Sequence, residues 1–253
     1  MKQNFYIVIP ARMASQRLPG KPLLEIAGKP LLKHVFDRAC QSKATRIVIA
    51  TDDRRIFETA GHFGAEVVMT SPDHESGSDR IAECASQLGW TDDDLIVNLQ
   101  GDEPLMPPSC LNQVAGLLLE DSSADVASLF CPVLNREEAV NPNAVKVVVD
   151  AQGMALYFSR AMIPYPRSTG QERRTDPDFA RWKRHIGLYA YRVGALRLFT
   201  SLPPTPLETI EKLEQLRFLE AGCRIRMAPA CEPIPAGVDT HDDLERVRAY
   251  FRD

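Results

Sequence analysis

The chain has 253 residues, of which 44% are hydrophobic and 25% charged, with a formal net charge of −4. This is the composition of an ordinary soluble globular protein and excludes a disordered or fibrous chain. The mild acidity argues against a general binder of nucleic-acid backbones, which needs a basic excess. No apolar run approaches the ~18 residues of a membrane span, and the N-terminus lacks the apolar segment and cleavage site of a signal peptide, so no membrane partner and a cytoplasmic location are expected. In chain order, Phe5–Ile9 is a β-branched run closed by Pro10, and Leu31–Cys40 has apolar residues at helical spacing. Arg46–Ala50 reads as a buried strand, Arg55–Phe63 as a helix, Glu66–Met69 as a short strand, Asp79–Leu88 as a helix and Leu95–Leu99 as a strand. Strand and helix alternating in this way indicate an α/β fold with a mainly parallel sheet covered by helices on both faces.

The second half is less regular. Ser109–Leu119 reads as a helix, Val126–Phe130 as a strand, and Val145–Val149 with Leu156–Ser159 as a hairpin around Gln152-Gly153. Ser168–Arg184 is polar, contains Gly170 and Pro177, and is expected to be a mobile loop. His185–Arg192 alternates like a strand. Leu207–Ala221 reads as one helix, with Pro206 at its start and Gly222 as its stop. Thr240 with Asp243 resembles a capping box opening a last helix to Arg252. The economical description is a single domain, 1–253, with an inserted sub-region near 150–205. The six cysteines contain no Cys-x-x-Cys and the five histidines are scattered, so a structural zinc is not expected and the cysteines read as reduced thiols.

Three segments are candidates for chemistry. The loop after the first strand, Pro10 to Pro22, gathers Arg12, Ser15, Arg17, Gly20 and Lys21 at the carboxyl end of that strand, where α/β folds place ligands. Its arginines suit phosphate oxygens and its lysine supplies a point charge. It is neither a Walker loop nor Gly-x-Gly-x-x-Gly, which counts against motor ATPases and NAD enzymes. The second segment, Asn98 to Pro104, ends a buried strand in Gln100 and presents Asp102 after Gly101. A carboxylate there suits Mg²⁺ opposite a triphosphate, and suits an ordinary acidic turn equally well. The third, Pro235 to Thr240, places Asp239 at the mouth of the last helix, where capping is the commoner role. On the strand, His185 and Tyr189 share a face and could reach one ligand, although a strand tyrosine most often serves packing. Glu211, Glu214 and Gln215 lie on neighbouring helical rows, where carboxylates are usually solvated.

These segments, in this order, resemble the 3-deoxy-D-manno-octulosonate (Kdo) cytidylyltransferase family over essentially the whole chain. The resemblance rests on R-x-x-S-x-R-L-P-G-K-P (Arg12–Pro22), Ser76-Gly77-Ser78-Asp79-Arg80, Q-G-D-E-P (Gln100–Pro104) and N-P-N-x-V-K (Asn141–Lys146). It continues through A-L-Y-F-S-R (Ala155–Arg160), R-H-x-G-x-Y-x-Y-R (Arg184–Arg192), L-E-x-I-E-x-L-E-Q-L-R (Leu207–Arg217) and G-V-D-T-x-x-D-L-E (Gly237–Glu245). Gln16 stands where the family usually has a hydroxyl residue.

The resemblance implies a Rossmann-like nucleotidyltransferase domain with a mixed, mostly parallel sheet. It implies transfer of CMP from CTP to Kdo with release of pyrophosphate and use of Mg²⁺, on the route to lipopolysaccharide. By analogy Asp102 and Asp239 are the metal ligands. Arg12, Ser15, Arg17 and Lys21 hold the triphosphate, and Arg12 and Lys21 serve catalysis with the two aspartates. Ser76, Gly77 and Arg80 line the nucleotide pocket. Gln100, His185, Tyr189, Glu214 and Gln215 bind the sugar acid. A homodimer is implied, with the 150–205 sub-region as its contact and as part of the sugar-binding site. The rival readings are a cytidylyltransferase for a sialic-type acid or for 8-amino-Kdo, the latter linked to Q-G-D-Q-P where this chain keeps Glu103, and a non-catalytic nucleotide-binding regulator.

Overall fold

A computed structural model describes residues 4–14, 17–74, 76–167 and 179–252. The main sheet is built from β1 (Tyr6–Ala11), β4 (Arg46–Thr51), β5 (Glu66–Met69), β6 (Leu95–Asn98), β7 (Val126–Pro132), β10 (Lys183–Arg192) and β11 (Ile225–Pro229). Their order is β11-β7-β10-β6-β1-β4-β5. Every strand on this path runs parallel except β10, which is antiparallel to both β6 and β7. The hairpin of β8 (Lys146–Val149) and β9 (Ala155–Ser159) pairs onto the leading end of β10. A small ribbon of β2 (Glu25–Ile26) and β3 (Lys29–Pro30) follows the first loop.

The helices divide between the two faces. Along β1, Ile7 and Ile9 enter one apolar cluster and Val8 the other, all fully buried, which is why a two-sided parallel strand reads as an unbroken apolar run. The first cluster takes in α1 (Leu31–Cys40), α4 (Pro108–Glu120) and α9 (His241–Tyr250); the second takes in α3 (Gly77–Gln87), α6 (Val193–Ser201) and α8 (Gln215–Glu220). The described residues also form α2 (Arg54–His62), α5 (Arg136–Val140) and α7 (Pro206–Glu211). An α/β fold with a mostly parallel sheet is what the sequence predicts, and the 150–205 stretch supplies β9, β10 and α6, with β10 between β6 and β7.

Three expectations change. The predicted single helix Leu207–Ala221 is two helices, α7 and α8, broken at Lys212, whose backbone is left-handed at φ 53°. The break is held from outside the segment. Arg160 donates from Nε to the Glu211 carbonyl at 2.6 Å and from Nη2 to the Lys212 carbonyl at 3.1 Å. The Glu211 carboxylate accepts from Ser159 Oγ at 2.6 Å and from the Arg160 amide at 2.9 Å. Carbonyls that would continue a helix are satisfied elsewhere, so the turn is stable. Lys146, fully buried, fixes the same corner by donating to the carbonyls of Asn141 and Arg160 at 2.8 and 2.7 Å.

The predicted loop Ser168–Arg184 ends earlier than expected, because Lys183 and Arg184 already pair with Pro132 and Cys131 of β7; its residues 168–178 lie outside the described residues. The alternation expected along His185–Arg192 is interrupted by a register shift between Ile186 and Tyr189. Ser128 Oγ lies 3.0 Å from the Ile186 carbonyl and 2.9 Å from that of Leu188, stitching the irregularity to β7.

Candidate active site

The carboxyl ends of β1 and β6 lie side by side, and the Leu99 amide donates to the Val8 carbonyl at 3.1 Å. The chain then turns through Gln100-Gly101-Asp102-Glu103. A Cβ at Gly101 would stand 2.8 Å from the Pro10 carbonyl oxygen, so this turn approaches the first loop as closely as glycine alone permits. Lys21 begins a short 3-10 turn whose preceding residue, Gly20, is left-handed at φ 70°.

A cleft of about 800 Å³ opens where these segments meet, lined by Arg12, Arg17 and Lys21 from the first loop, His74, Ser76, Gly77 and Arg80, Gln100 to Asp102, and Asp239. The two distant aspartates converge there. Lys21 Nζ donates to Asp102 Oδ2 at 2.6 Å and to Asp239 Oδ1 at 3.1 Å, and Arg17 pairs with Asp239 Oδ2 at 3.0 Å. The capping alternative for Asp239 fails, because Thr240 caps α9 and Asp243 completes the capping box. The Asp239 carboxylate is thereby left for the cleft.

The other nucleotide-side residues divide by what holds them. Ser76 caps α3 and its hydroxyl donates to Asp79 Oδ2 at 2.8 Å, so toward a ligand it offers backbone at a helix N-terminus. Arg80 is 3% exposed and its guanidinium pairs with Asp52 at 2.8 Å and bonds Thr70, making a fixed floor beneath the cleft. Arg12 is exposed at the rim. Ser15 lies outside the described residues, as does Gln16. His74, which sequence reasoning missed, lines the cleft with its imidazole bonded to Glu83. Its place two residues before the Ser76-Gly77 helix start was the signal available.

A second cavity of about 440 Å³ adjoins the first, and Gly77 and Gln100 line both. Tyr189, Glu214 and Gln215 line it together, joined by Ser78, Asn98, Glu103, Tyr191 and Lys212. Two residues past the break at Lys212, Glu214 is exposed at the cavity mouth and its carboxylate accepts from Ser78 Oγ at 3.1 Å. Desolvation raises the Glu214 carboxyl above its usual range, and burial together with the neighbouring Asp102 pushes Glu103 up to about 8. Burial also lifts the phenols of Tyr189 and Tyr191, so both stay protonated donors at neutral pH. Among the described residues, Asn98 Oδ1 and Glu103 Oε2 are buried without a hydrogen-bond partner. Buried oxygens without partners are costly and mark a place where a ligand's donors are wanted.

His185 is set behind this pocket rather than on its wall. Its Nε2 is 2.9 Å from Ser128 Oγ, its ring contacts Phe158 and lies 5.3 Å from that of Tyr189, and burial pushes its imidazole down to about 3. The register shift between Ile186 and Tyr189 lies between the two residues, and their rings remain neighbours across it.

The donor set can be tested for a metal. Two carboxylate oxygens share one ammonium at 2.6 and 3.1 Å, so both reach a single cation between them. Among the described residues there is no group of three or more Asp, Glu, His or Cys placed to hold a metal. Two hard carboxylates with the rest of the shell left open suit Mg²⁺, which keeps waters and takes substrate phosphates.

The profile of the family described as cytidylyltransferase matches residues 6–225. A 3-deoxy-manno-octulosonate cytidylyltransferase from Saccharophagus degradans is 53% identical, over 98% of this chain and 99% of its own. The chain belongs to the cytidylyltransferase family, among the 3-deoxy-manno-octulosonate cytidylyltransferases. The namesake from Thioalkalivibrio sulfidiphilus is also 53% identical, over 98% of this chain and 99% of its own. A solved structure of CMP:2-keto-3-deoxy-manno-octonic acid synthetase complexed with CTP is 41% identical and superposes with a TM-score of 0.88 over 98% of each chain. A cytidylyltransferase from Leptospira borgpetersenii, 19% identical with a TM-score of 0.63 over 97% of this chain and 85% of its own, shares the fold.

Proposed function

We propose that this chain transfers CMP from CTP to the anomeric hydroxyl of Kdo, giving CMP-Kdo and pyrophosphate. The observation that carries the reading is the seam between the two cavities. Gln100 lines both, Asp102 faces the cationic cleft and Glu103 the buried pocket. A donor triphosphate and an acceptor sugar seated on either side of one turn are held in reach of each other, which is what a transfer without a covalent enzyme intermediate requires.

Arg12, Arg17 and Lys21 neutralise the phosphates of CTP, whose roughly four negative charges would otherwise be repelled by a chain of net charge −4. Gly77 at the start of α3 brings backbone N–H groups to the nucleotide, and Arg80 with Asp52 keeps that helix start fixed. Asp102 and Asp239 are the residues that hold Mg²⁺; when bound, it neutralises phosphate charge and favours ionisation of the attacking hydroxyl. In the structure they are instead spanned by Lys21, so that lysine and the cation compete for the same oxygens. Gln100, Tyr189, Glu214 and Gln215 bind the sugar acid, with His185 backing Tyr189.

This reading places the protein as a homodimer in the bacterial cytoplasm, its product serving lipopolysaccharide assembly. No helix of the described residues is long and apolar enough to cross a membrane. Support for a subunit contact in the 150–205 sub-region comes from Leu156 and Tyr165, which stand 59% and 81% exposed. Sedimentation of the purified protein tests it, with a dimer expected and a monomer at micromolar concentration contradicting it. The reaction itself is tested by pyrophosphate release with each of four nucleoside triphosphates against Kdo, 8-amino-Kdo and a sialic acid. Release with CTP and Kdo is expected to exceed every other pair; CTP binding without release contradicts the reading.

A further inference from the structure

Two thiols from distant parts of the chain meet beside the strap that leads to Asp239. Cys110 is buried in the first turn of α4, and Cys231 is exposed two residues beyond β11. Their Sγ atoms are 3.6 Å apart, although the residues are 121 positions apart in sequence. Backbone on both sides of Cys231 is fastened to α4. Gln113 donates from Nε2 to the Pro229 carbonyl at 2.8 Å and accepts at Oε1 from the Cys231 amide at 2.9 Å. Ser109 bonds the Glu232 carboxylate, and the Cys110 thiol lies 3.8 Å from the Glu232 carbonyl oxygen. The two sulfurs are therefore held as neighbours by four polar contacts that do not involve a bond between them.

We propose that Cys110 and Cys231 form a reversible disulfide site, and that closing it ties the strap of residues 230–239 to α4 and slows nucleotidyl transfer. The oxidant is a hydroperoxide. The Cys231 thiolate attacks its distal oxygen, the O–O bond breaks, and Cys231 becomes a sulfenic acid with release of hydroxide or alkoxide. The Cys110 sulfur then attacks the sulfenic sulfur. The S–S bond forms as the S–OH bond breaks, and the departing hydroxide takes the Cys110 proton as water. Two electrons pass from the two thiols to the peroxide, and a dithiol reductant reverses the step.

The environments set the order of events. Burial, followed by its hydrogen bond with Cys231, pushes the Cys110 thiol up to about 11, so the exposed Cys231 is the group oxidised first and Cys110 resolves it. A disulfide of about 2.05 Å asks for roughly 1.5 Å of further approach, which the exposed strap supplies.

The link to catalysis is short and continuous. From Cys231 the strap runs to Gly237, where a Cβ would stand 3.1 Å from the Asp102 carbonyl oxygen, and to Val238, whose amide donates to that same carbonyl at 2.8 Å. Asp239 follows. In the structure Asp239 is paired with Lys21 and Arg17, and loading the cleft requires these pairs to rearrange. A strap stapled at residue 231 has less freedom to make that change. The effect on turnover rests on the reaction proposed above; the disulfide itself does not.

The test exposes the full-length protein to a small excess of hydrogen peroxide, quenches it, and reads free thiols, intact mass and CTP–Kdo turnover for wild type and Cys231→Ser. Wild type is expected to lose two thiols and two hydrogen masses, with turnover falling roughly fivefold or more and returning with dithiothreitol. Cys231→Ser keeps its turnover through the same treatment and forms no Cys110 disulfide on peptide mapping. Absence of the Cys110–Cys231 bridge in wild type overturns the site. A bridge that leaves turnover unchanged, or an equal loss in Cys231→Ser, overturns the regulation. A reduced wild-type protein with no CTP–Kdo turnover at all counts against the proposed function and leaves the thiol result standing.

Discussion

The two cavities that meet at Gly77 and Gln100 are built on opposite electrostatic principles. The nucleotide cleft is lined by full charges in pairs, and several of them face solvent: Arg17 is 65% and Asp239 52% exposed. The second cavity, proposed for the sugar, is lined by buried or half-buried groups whose ionisation is disfavoured or whose oxygens lack partners, including Glu103, Asn98, Tyr189 and Tyr191. A ligand that brings its own charge needs movable counter-charges, which water screens until the ligand arrives. A ligand distinguished by hydroxyl positions needs fixed, desolvated acceptors, because a missing hydrogen bond is then expensive. On the proposed function, reversible loading falls to the first cavity and selectivity to the second.

That contrast can be broken most severely at Asp102. Asp102→Asn is expected to lower pyrophosphate release by about a hundredfold or more, with the thermal midpoint unchanged. Near-normal release would remove Asp102 from the mechanism. The division of labour is sharpened by a pair of variants compared in one assay. Lys21→Ala is expected to raise the CTP KM about tenfold and leave that for Kdo near wild type, and Glu214→Ala to do the reverse. If both variants move the same KM, the two-cavity assignment fails.

A smaller effect is expected at Arg160, which touches neither ligand. Arg160→Ala frees the carbonyls of Glu211 and Lys212, so it is expected to cost about 2 kcal/mol in denaturant unfolding and to raise the Kdo KM selectively. A CTP-side effect of equal size would contradict its role in holding the turn that places Glu214. Smallest is the separation of capping from ligation at the last helix. The Asp243 carboxyl is held down from an ordinary 3.8 to about 2, first by the Thr240 hydroxyl and then by backbone amides and Arg246. A carboxyl depressed in the folded state stabilises above its unfolded value and loses that contribution as pH falls through its folded one. Asp243→Ala is accordingly expected to cost about 1 kcal/mol at pH 7 and less near pH 2, whereas Asp239→Asn costs activity and little stability. Equal stability losses would mean that Asp239 is itself part of the cap.

How far the sequence alone reaches follows the range of the interactions involved. The parallel strands were legible because two-sided burial writes itself as runs such as Tyr6-Ile7-Val8-Ile9. The antiparallel run of β10 between β6 and β7 was not, since its partners are set by pairings dozens of residues away. Nor was the break at Lys212: helical periodicity runs through 207–221, and the groups that interrupt it are Ser159 and Arg160 on another element. In the site, Arg12, Arg17, Lys21 and Asp102 carried a local signal. Asp239 read locally as a cap, and its convergence with Asp102 is a product of the fold. Asn98 gave no sign of a role, because what marks it is burial and an unpaired oxygen, and His74 was signalled only by its place before Ser76-Gly77. His185 was legible as a strand neighbour of Tyr189, and their rings are 5.3 Å apart, but only Tyr189 of the two lines the second cavity.

The central claim is that one tight turn, Gln100 to Glu103, is the shared wall of the donor and acceptor sites. Two-substrate kinetics of Gly101→Ala test it most directly, since the added Cβ would stand 2.8 Å from the Pro10 carbonyl oxygen and force that wall to move. Impaired use of CTP and of Kdo together, in a protein that still folds, is the result this account predicts. Loss confined to one substrate, or kinetics indistinguishable from wild type, would contradict it.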